Sequence, residues 1–250
     1  MLATKSWIYL DLEKTGCTTL RSVLLKLYPE NLFIEKRKHS LQLKRNNLPK
    51  IITVRDPYKY YFSLWRYGLD QKGGIYNQLK KNYPNLAKIL YENASKEAFS
   101  KFLDYVLHSP TRYVAPHRFD WLPFSLDLYT SRILSMIVPI QSRLSFLNKL
   151  GTDLPSSKIL LEAASPYMPE VIIRTTHLNS DFHRLADKGA LDFLNLPIGW
   201  QKIFHRHYPA QNRSTAIIND SINDYFLPGW KKLIEKKCSL SLLMLNMGNI

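Results

Sequence analysis

The run Lys50–Val54 (KIITV) constrains this chain more than any other feature. Its four β-branched residues favour a strand, Pro49 precedes it and Arg55-Asp56-Pro57 closes it, and its continuous apolar character suits a strand covered on both faces. A helix should follow at once. Asp56 is a good N-cap, Pro57 fits the first helical position, and Tyr58, Tyr61, Phe62 and Trp65 repeat at i, i+3, i+4 and i+7. The same order of strand, loop and helix stands at Ser6–Leu12 (SWIYLDL), followed by Leu20, Val23, Leu24 and Leu27 at helical spacing. It stands again at Val171–Thr175 (VIIRT), with a helix opening near Asn179 or Ser180 and ending at Gly189. Pro29 stops the first helix, and Leu32–Glu35 is expected to begin a further strand running into the basic stretch Lys36–His39. Buried strands alternating with amphipathic helices predict an α/β fold: three layers, with a mostly parallel sheet and helices on both faces.

Between these units, residues Asp70–Ser109 read as helical with a Lys-rich polar face, and Thr111–Gln141, broken by Pro116, Pro123 and Pro139, reads as loops and short helices. No internal repeat and no Gly/Ser-rich linker occurs, so one domain is expected over residues 1–250. A content of 45% hydrophobic and 22% charged residues excludes a disordered chain. Lys and Arg number 35 against 20 Asp and Glu, and the resulting charge of +15 calls for an anionic ligand or partner. Cys17 and Cys238 form no C-x-x-C pair, which disfavours a zinc ribbon, a redox motif and a disulfide scaffold and fits a reducing compartment. The apolar runs Ile133–Ile140 and Leu240–Met244 fall short of the roughly 20 residues that span a bilayer. Met1–Trp7 has no leader pattern. The expected location is the cytoplasm if the chain is full length, and the Golgi lumen only if it is trimmed from an anchored protein.

Two loops have the residues for anion chemistry. Glu13-Lys14-Thr15-Gly16-Cys17-Thr18-Thr19 lies between the first strand and its helix, where backbone N–H groups meet the positive end of the helix dipole. Gly16 permits close approach of the backbone, while Lys14 and the threonines add charge and donors. The Lys precedes the Gly and no G-x-x-x-x-G-K-[ST] occurs, so this is not a Walker A loop; an ordinary turn with a solvated lysine fits the loop alone equally well. Arg55, at the carboxyl end of Lys50–Val54, is placed where open α/β sheets bind ligands, and its guanidinium can fork a second anion. Ser63 falls off the aromatic stripe of the following helix, so its hydroxyl is available to ligand or solvent. An Arg55–Asp56 pair and a merely exposed Ser63 are the plainer readings.

Taken together, K-T-G-C-T-T-L after one strand and V-R-D-P-Y…S after another resemble the sulfotransferases that use 3′-phosphoadenosine-5′-phosphosulfate (PAPS), and among them the carbohydrate sulfotransferase branch. The match is most specific over Trp7–Leu27 and Lys50–Trp65, about one seventh of the chain. Weaker likenesses are Arg174-Thr175-Thr176-His177-Leu178-Asn179-Ser180-Asp181-Phe182, similar to the family's R-T-E-x-L-x-x-D-F segment, and Asn212-Arg213-Ser214, similar to the N-x-S near its C-terminal cofactor loop. Glu13, Cys17 and Thr176-His177 depart from the pattern, standing where Pro, Gly or Ala, and an acidic residue are usual. Cys17 is read as a small filler rather than a reactive thiol. Glu13 beside an anion site is awkward unless it points outward or takes part in proton transfer.

The resemblance implies a P-loop-kinase-like sulfotransferase fold and an enzyme that moves a sulfuryl group from PAPS to an acceptor hydroxyl, leaving 3′-phosphoadenosine-5′-phosphate, with no metal required. It implies cofactor binding by Lys14, Thr15, Gly16, Cys17, Thr18, Thr19, Arg55, Ser63 and Arg213. Lys14 would serve the leaving oxygen, and a base would lie between the first helix and the Arg-bearing strand. His39 is the favoured base because imidazole accepts a proton near pH 7; Glu35 is its competitor, with His177, His117 and Glu13 in reserve. The basic cluster Lys36, Arg37, Lys38, Lys44 and Arg45 suits a glycan acceptor, an acidic polysaccharide above all. Aromatics at Tyr113, Phe119, Trp121, Phe124 and Tyr129 could stack on sugar rings, or simply be core. His205 and His207 have no third ligand at a zinc spacing. Three other readings stay open: a small-molecule or protein-tyrosine sulfotransferase, a degenerate P-loop nucleotide kinase, and a basic nucleic-acid-binding protein. No helix-turn-helix, zinc-finger or RNA-binding pattern supports the last, so no nucleic acid partner is expected. Acceptor identity and oligomeric state cannot be read from these residues.

Overall fold

The computed structural model describes residues 1–37, 47–108, 121–123, 126–151, 155–207 and 221–247. Among the described residues four strands form one sheet in the order β1 (Leu2–Ala3), β2 (Ile8–Leu10), β3 (Lys50–Val54) and β4 (Val171–Arg174). β2, β3 and β4 are parallel, with Tyr9 opposite Ile51 and Ile52 opposite Ile172; β1 runs antiparallel to β2. β1 was not expected from the sequence, because two residues are too few to show a period. The strand expected at Leu32–Glu35 is replaced by a 3-10 turn at Glu30–Leu32, after which Glu35 makes a single antiparallel bridge to Ala3. The edge it meets is only those two residues long, so pairing cannot extend.

Strand side chains alternate between faces, and here each face has its own core. Ile8, Leu10, Ile52, Val54 and Ile172 belong to one apolar cluster, whereas Tyr9, Ile51, Val171 and Ile173 belong to another. The sheet is therefore the middle of three layers, as its uninterrupted apolar strands predicted. α1 (Cys17–Leu27) covers the second face, with Leu20, Val23, Leu24 and Leu27 buried as their spacing required. α2 (Pro57–Leu69) covers the first; its Asp56 cap accepts from the Lys59 N–H at 3.0 Å, and Pro57 opens it. Its buried face is broader than the expected stripe, since Tyr60, Leu64 and Gly68 are buried as well, while Tyr58 is half-buried at the rim against Phe226. Trp65 is fully buried, packs on Phe99 and donates to the Leu90 carbonyl at 2.9 Å. Burying a ring of that size while satisfying its N–H stabilises the layer by about 2–3 kcal/mol.

The helical stretch expected over Asp70–Ser109 is divided into α3 (Gly74–Asn82), α4 (Pro84–Tyr91) and α5 (Lys96–His108). Within Thr111–Gln141, expected as loops and short helices, α6 (Leu128–Ile137) is a helix of ten residues buried along its whole length. Asp127 caps it by accepting from the Tyr129 and Thr130 N–H groups. α7 (Arg143–Leu150) and α8 (Ser157–Ala164) lead to β4, after which come α9 (Leu178–Asp187), α10 (Trp200–His207), α11 (Pro228–Lys237) and α12 (Ser239–Met247). α9 and α10 contribute Phe182 and Phe204 to the same core as α1. Among the described residues no helix is long and apolar enough to cross a membrane.

Candidate active site

The chain leaves β2 into the turn Leu12–Gly16. Lys14 at φ 66° and Gly16 at φ 77° both adopt the left-handed conformation there. Glycine takes it freely, but a lysine gives up about 1 kcal/mol or more. Other contacts hold the turn. The buried Thr15 hydroxyl lies 2.7 Å from the Leu12 carbonyl and 2.8 Å from Thr53 Oγ1 on β3, which the Tyr9 hydroxyl joins at 3.2 Å. A side chain at position 16 would have its Cβ 3.1 Å from Leu178 Cδ1 and 3.4 Å from Thr175 Cγ2. Thr175 Oγ1 in turn donates to the Val54 carbonyl at 2.8 Å. The carboxyl ends of β2, β3 and β4 thus converge on Gly16, with the N-terminus of α1 opening beside it.

Arg55 reaches the loop from the end of β3. One guanidinium nitrogen donates to the Lys14 carbonyl at 3.1 Å, which fixes the left-handed residue from behind. The Tyr129 hydroxyl accepts from the Arg55 N–H at 2.8 Å and donates to its carbonyl at 2.9 Å, so the backbone of Arg55 is locked too. Among the described residues, the buried Arg55 Nε has no hydrogen-bond partner. Burial lowers the proton affinity of this guanidinium, although Tyr129 and Asp56 work against that. A buried cationic N–H with nothing to donate to is costly unless an anion arrives. The plain Arg55–Asp56 pairing weighed from the sequence does not account for it, because the Asp56 carboxylate caps α2.

Lys14 projects its ammonium over the Tyr67 ring, 3.9 Å from the ring centre. Burial lowers its pKa from the ordinary lysine value, and Glu13 partly offsets the effect. Glu13 itself turns to Arg132 of α6, at 2.9 Å, and Arg132 also donates to the Tyr60 hydroxyl at 2.7 Å. Burial opposes the charge on Arg132, but Tyr60 and Glu13 outweigh it and raise its pKa. Tyr60 stacks on Tyr129 with ring centres 3.8 Å apart. The awkward acid beside the loop is therefore neutralised by an arginine from another element. Arg132, Tyr60 and Tyr67 were missed in the sequence, and Tyr129 was weighed there only as a sugar platform or core; the signal for Arg132 was a lone charge inside the otherwise uncharged run Leu128–Val138.

The other expected residues fall as follows. Thr15 and Cys17 are buried, so what they can offer an anion at the loop is backbone N–H; Thr19 is buried too, and Thr18 is half-buried. Burial pushes the Cys17 thiol up to about 11, in keeping with a filler. Ser63 is half-buried on α2. His39, His117, Arg213, Asn212 and Ser214 lie outside the described residues, as do Lys38, Lys44 and Arg45. Glu35 forms an ion pair with Arg37 at 3.5 Å, and His177 is exposed ahead of α9. Arg174 and Asp181 bind each other at 2.6 and 2.8 Å, tying β4 to α9. Of the aromatics considered as sugar platforms, Tyr129 is fully buried, and Trp121 meets Phe146 edge-on and has the Arg143 guanidinium over its ring; Tyr113, Phe119 and Phe124 lie outside the described residues. Among the described residues no group of three His, Cys, Asp or Glu side chains is arranged to hold a metal ion.

Comparison with curated proteins and with solved structures gives no match. A model of the Sulfotransferase family matches residues 2–134, just over half of the chain, and spans β1, the Gly16 loop, Arg55 and Arg132. The chain therefore belongs to the sulfotransferase family, a family of PAPS-dependent transferases.

Proposed function

We propose that the chain transfers a sulfuryl group from PAPS to the hydroxyl of a carbohydrate acceptor, an acidic glycan above all. The observation that carries this reading is the pairing of two anion-seeking groups at the ends of β2 and β3: the Gly16 loop with Lys14, and Arg55, whose buried Nε has no partner among the described residues. PAPS has anionic groups on both sides of its ribose, so a site for it needs two such positions. The residues present fit it. The Gly16 loop and the first N–H groups of α1 would hold the phosphosulfate, and Arg55 with Ser63 the 3′-phosphate, with Arg213 as a further contact.

When bound, PAPS supplies the sulfuryl group and a phosphate leaving group. Lys14 contributes a cation where negative charge develops, and the burial of its ammonium makes that charge act in a poorly screened setting. Arg55 keeps Lys14 in its left-handed conformation through the Lys14 carbonyl, so its guanidinium both positions the loop and binds the anion. His39 is the base we assign to the acceptor hydroxyl. The charge of +15 supports an anionic acceptor.

Titration calorimetry with adenosine 3′,5′-bisphosphate, adenosine 5′-phosphate and Mg-ATP tests the reading. Binding that depends on the 3′-phosphate is expected; equal affinity for the three ligands would refute it. For the base, His39→Ala should bind the bisphosphate as well as the parent chain and turn over at least a hundredfold more slowly. Turnover at the parent rate would remove His39 from the mechanism.

A further inference from the structure

Resting on the reading of Lys14 as the sulfuryl-transfer lysine, we infer that Tyr67 is its positioning residue: the phenol ring holds the ammonium over the Gly16 loop and keeps it charged.

Three observations lead there. First, the ammonium lies over the ring face at 3.9 Å from its centre, within the range in which an aromatic quadrupole attracts a cation. Second, the backbone is arranged to permit it. Lys14 is left-handed and its carbonyl is tied to Arg55, which aims the side chain, while Tyr67 lies on α2 one helical turn beyond Ser63. Third, the ring has room only because residue 73 is glycine. A Cβ there would stand 2.8 Å from Tyr67 Cδ1, and Gly73 has φ 93°.

The surroundings explain why a ring is useful. Burial disfavours the charged form of Lys14, Arg55 adds like charge, and Glu13 and Asp70 oppose both. Glu13 is already engaged by Arg132 at 2.9 Å, so its attraction for Lys14 is shared. A carboxylate placed directly on the ammonium would neutralise it and repel an incoming sulfate. A π face stabilises the cation without adding negative charge, leaving its N–H donors available.

The test is acylation of the free protein with an N-hydroxysuccinimide ester across pH 7–10, with Lys14 and the exposed Lys101 followed by peptide mass spectrometry. Only the neutral amine reacts, so removing the ring should raise the neutral fraction at a given pH. Tyr67→Leu should acylate Lys14 about three- to tenfold faster near pH 8 and move its profile to lower pH, with Lys101 unchanged. Tyr67→Phe, which keeps the ring, should match the parent. Gly73→Ala, which displaces the ring without removing it, should behave like Tyr67→Leu and carries the test if that variant does not fold. Parent-like acylation of Lys14 in both Tyr67→Leu and Gly73→Ala would overturn the inference. Failure of the cofactor reading would show separately, as no protection of Lys14 in the parent chain by saturating adenosine 3′,5′-bisphosphate.

Discussion

Arg132→Met removes the cation that joins Glu13 to Tyr60 and keeps most of the side-chain volume. In the parent chain Arg132 and Glu13 are 10% and 20% exposed, and Tyr60 is fully buried. Stranding the Tyr60 hydroxyl costs about 1–3 kcal/mol. Leaving Glu13 without its partner adds to that, though less than the 3–5 kcal/mol seen for a fully buried pair, because Glu13 keeps some water. Together these give about 3 kcal/mol, which for a chain of this size lowers Tm by about 6–12 °C. The assay is calorimetric unfolding of the parent, Arg132→Met, Glu13→Gln and the double variant. Each single loss should exceed its share of the double, with a coupling of at least about 1 kcal/mol. A drop under 2 °C in Arg132→Met, or strict additivity, would refute the claim that this pair neutralises the acid beside the loop.

Arg55→Ala should weaken adenosine 3′,5′-bisphosphate about ten- to a hundredfold and shrink its advantage over adenosine 5′-phosphate, as calorimetry would show. Gly16→Ala should lower Tm by about 2–5 °C through backbone strain and contact with Leu178, and should also lose bisphosphate affinity; Gly199→Ala, also at φ 77° but with open space around it, should lose stability only. Because burial raises the Cys17 thiol to about 11, the native state keeps a proton that the unfolded chain releases near pH 9. Its contribution to stability is therefore lost as pH rises from about 9 to 11, and Cys17→Ala should flatten that limb of a Tm-against-pH curve. Asp181 has the opposite sign: burial would raise its carboxyl, but the Arg174 contacts prevail and hold it below the usual range. Its contribution is lost as pH falls through that lowered value, and Asp181→Asn should remove the loss on the acid side of the same curve.

The elements that position the site were legible because their signals are local. The Asp56-Pro57 cap, the apolar spacing of α1 and the β-branched run of β3 each lie within a few residues, and an α/β order of elements follows from them. The strand-to-helix loop at Gly16 was legible for the same reason; that Lys14 as well as Gly16 turns left-handed there was not, because a lysine gives no local sign of that backbone. β1, α6 as a single helix buried throughout, and the outcome at Leu32–Glu35 were not. The first is too short to show a period, the second is buried on every side and so shows no amphipathic stripe, and the third was decided by the edge it met.

What the sequence determined, then, is the pair of loops at the ends of β2 and β3 and the layered fold that presents them. The tertiary structure alone decided what surrounds those loops: Arg132 on Glu13, Tyr67 under Lys14, Tyr129 bracketing Arg55. Glu13 and Arg132 lie more than a hundred residues apart. No local preference encodes such a meeting. It arises only when α2 and α6 pack into one core and the low polarity there leaves each buried charge needing a partner.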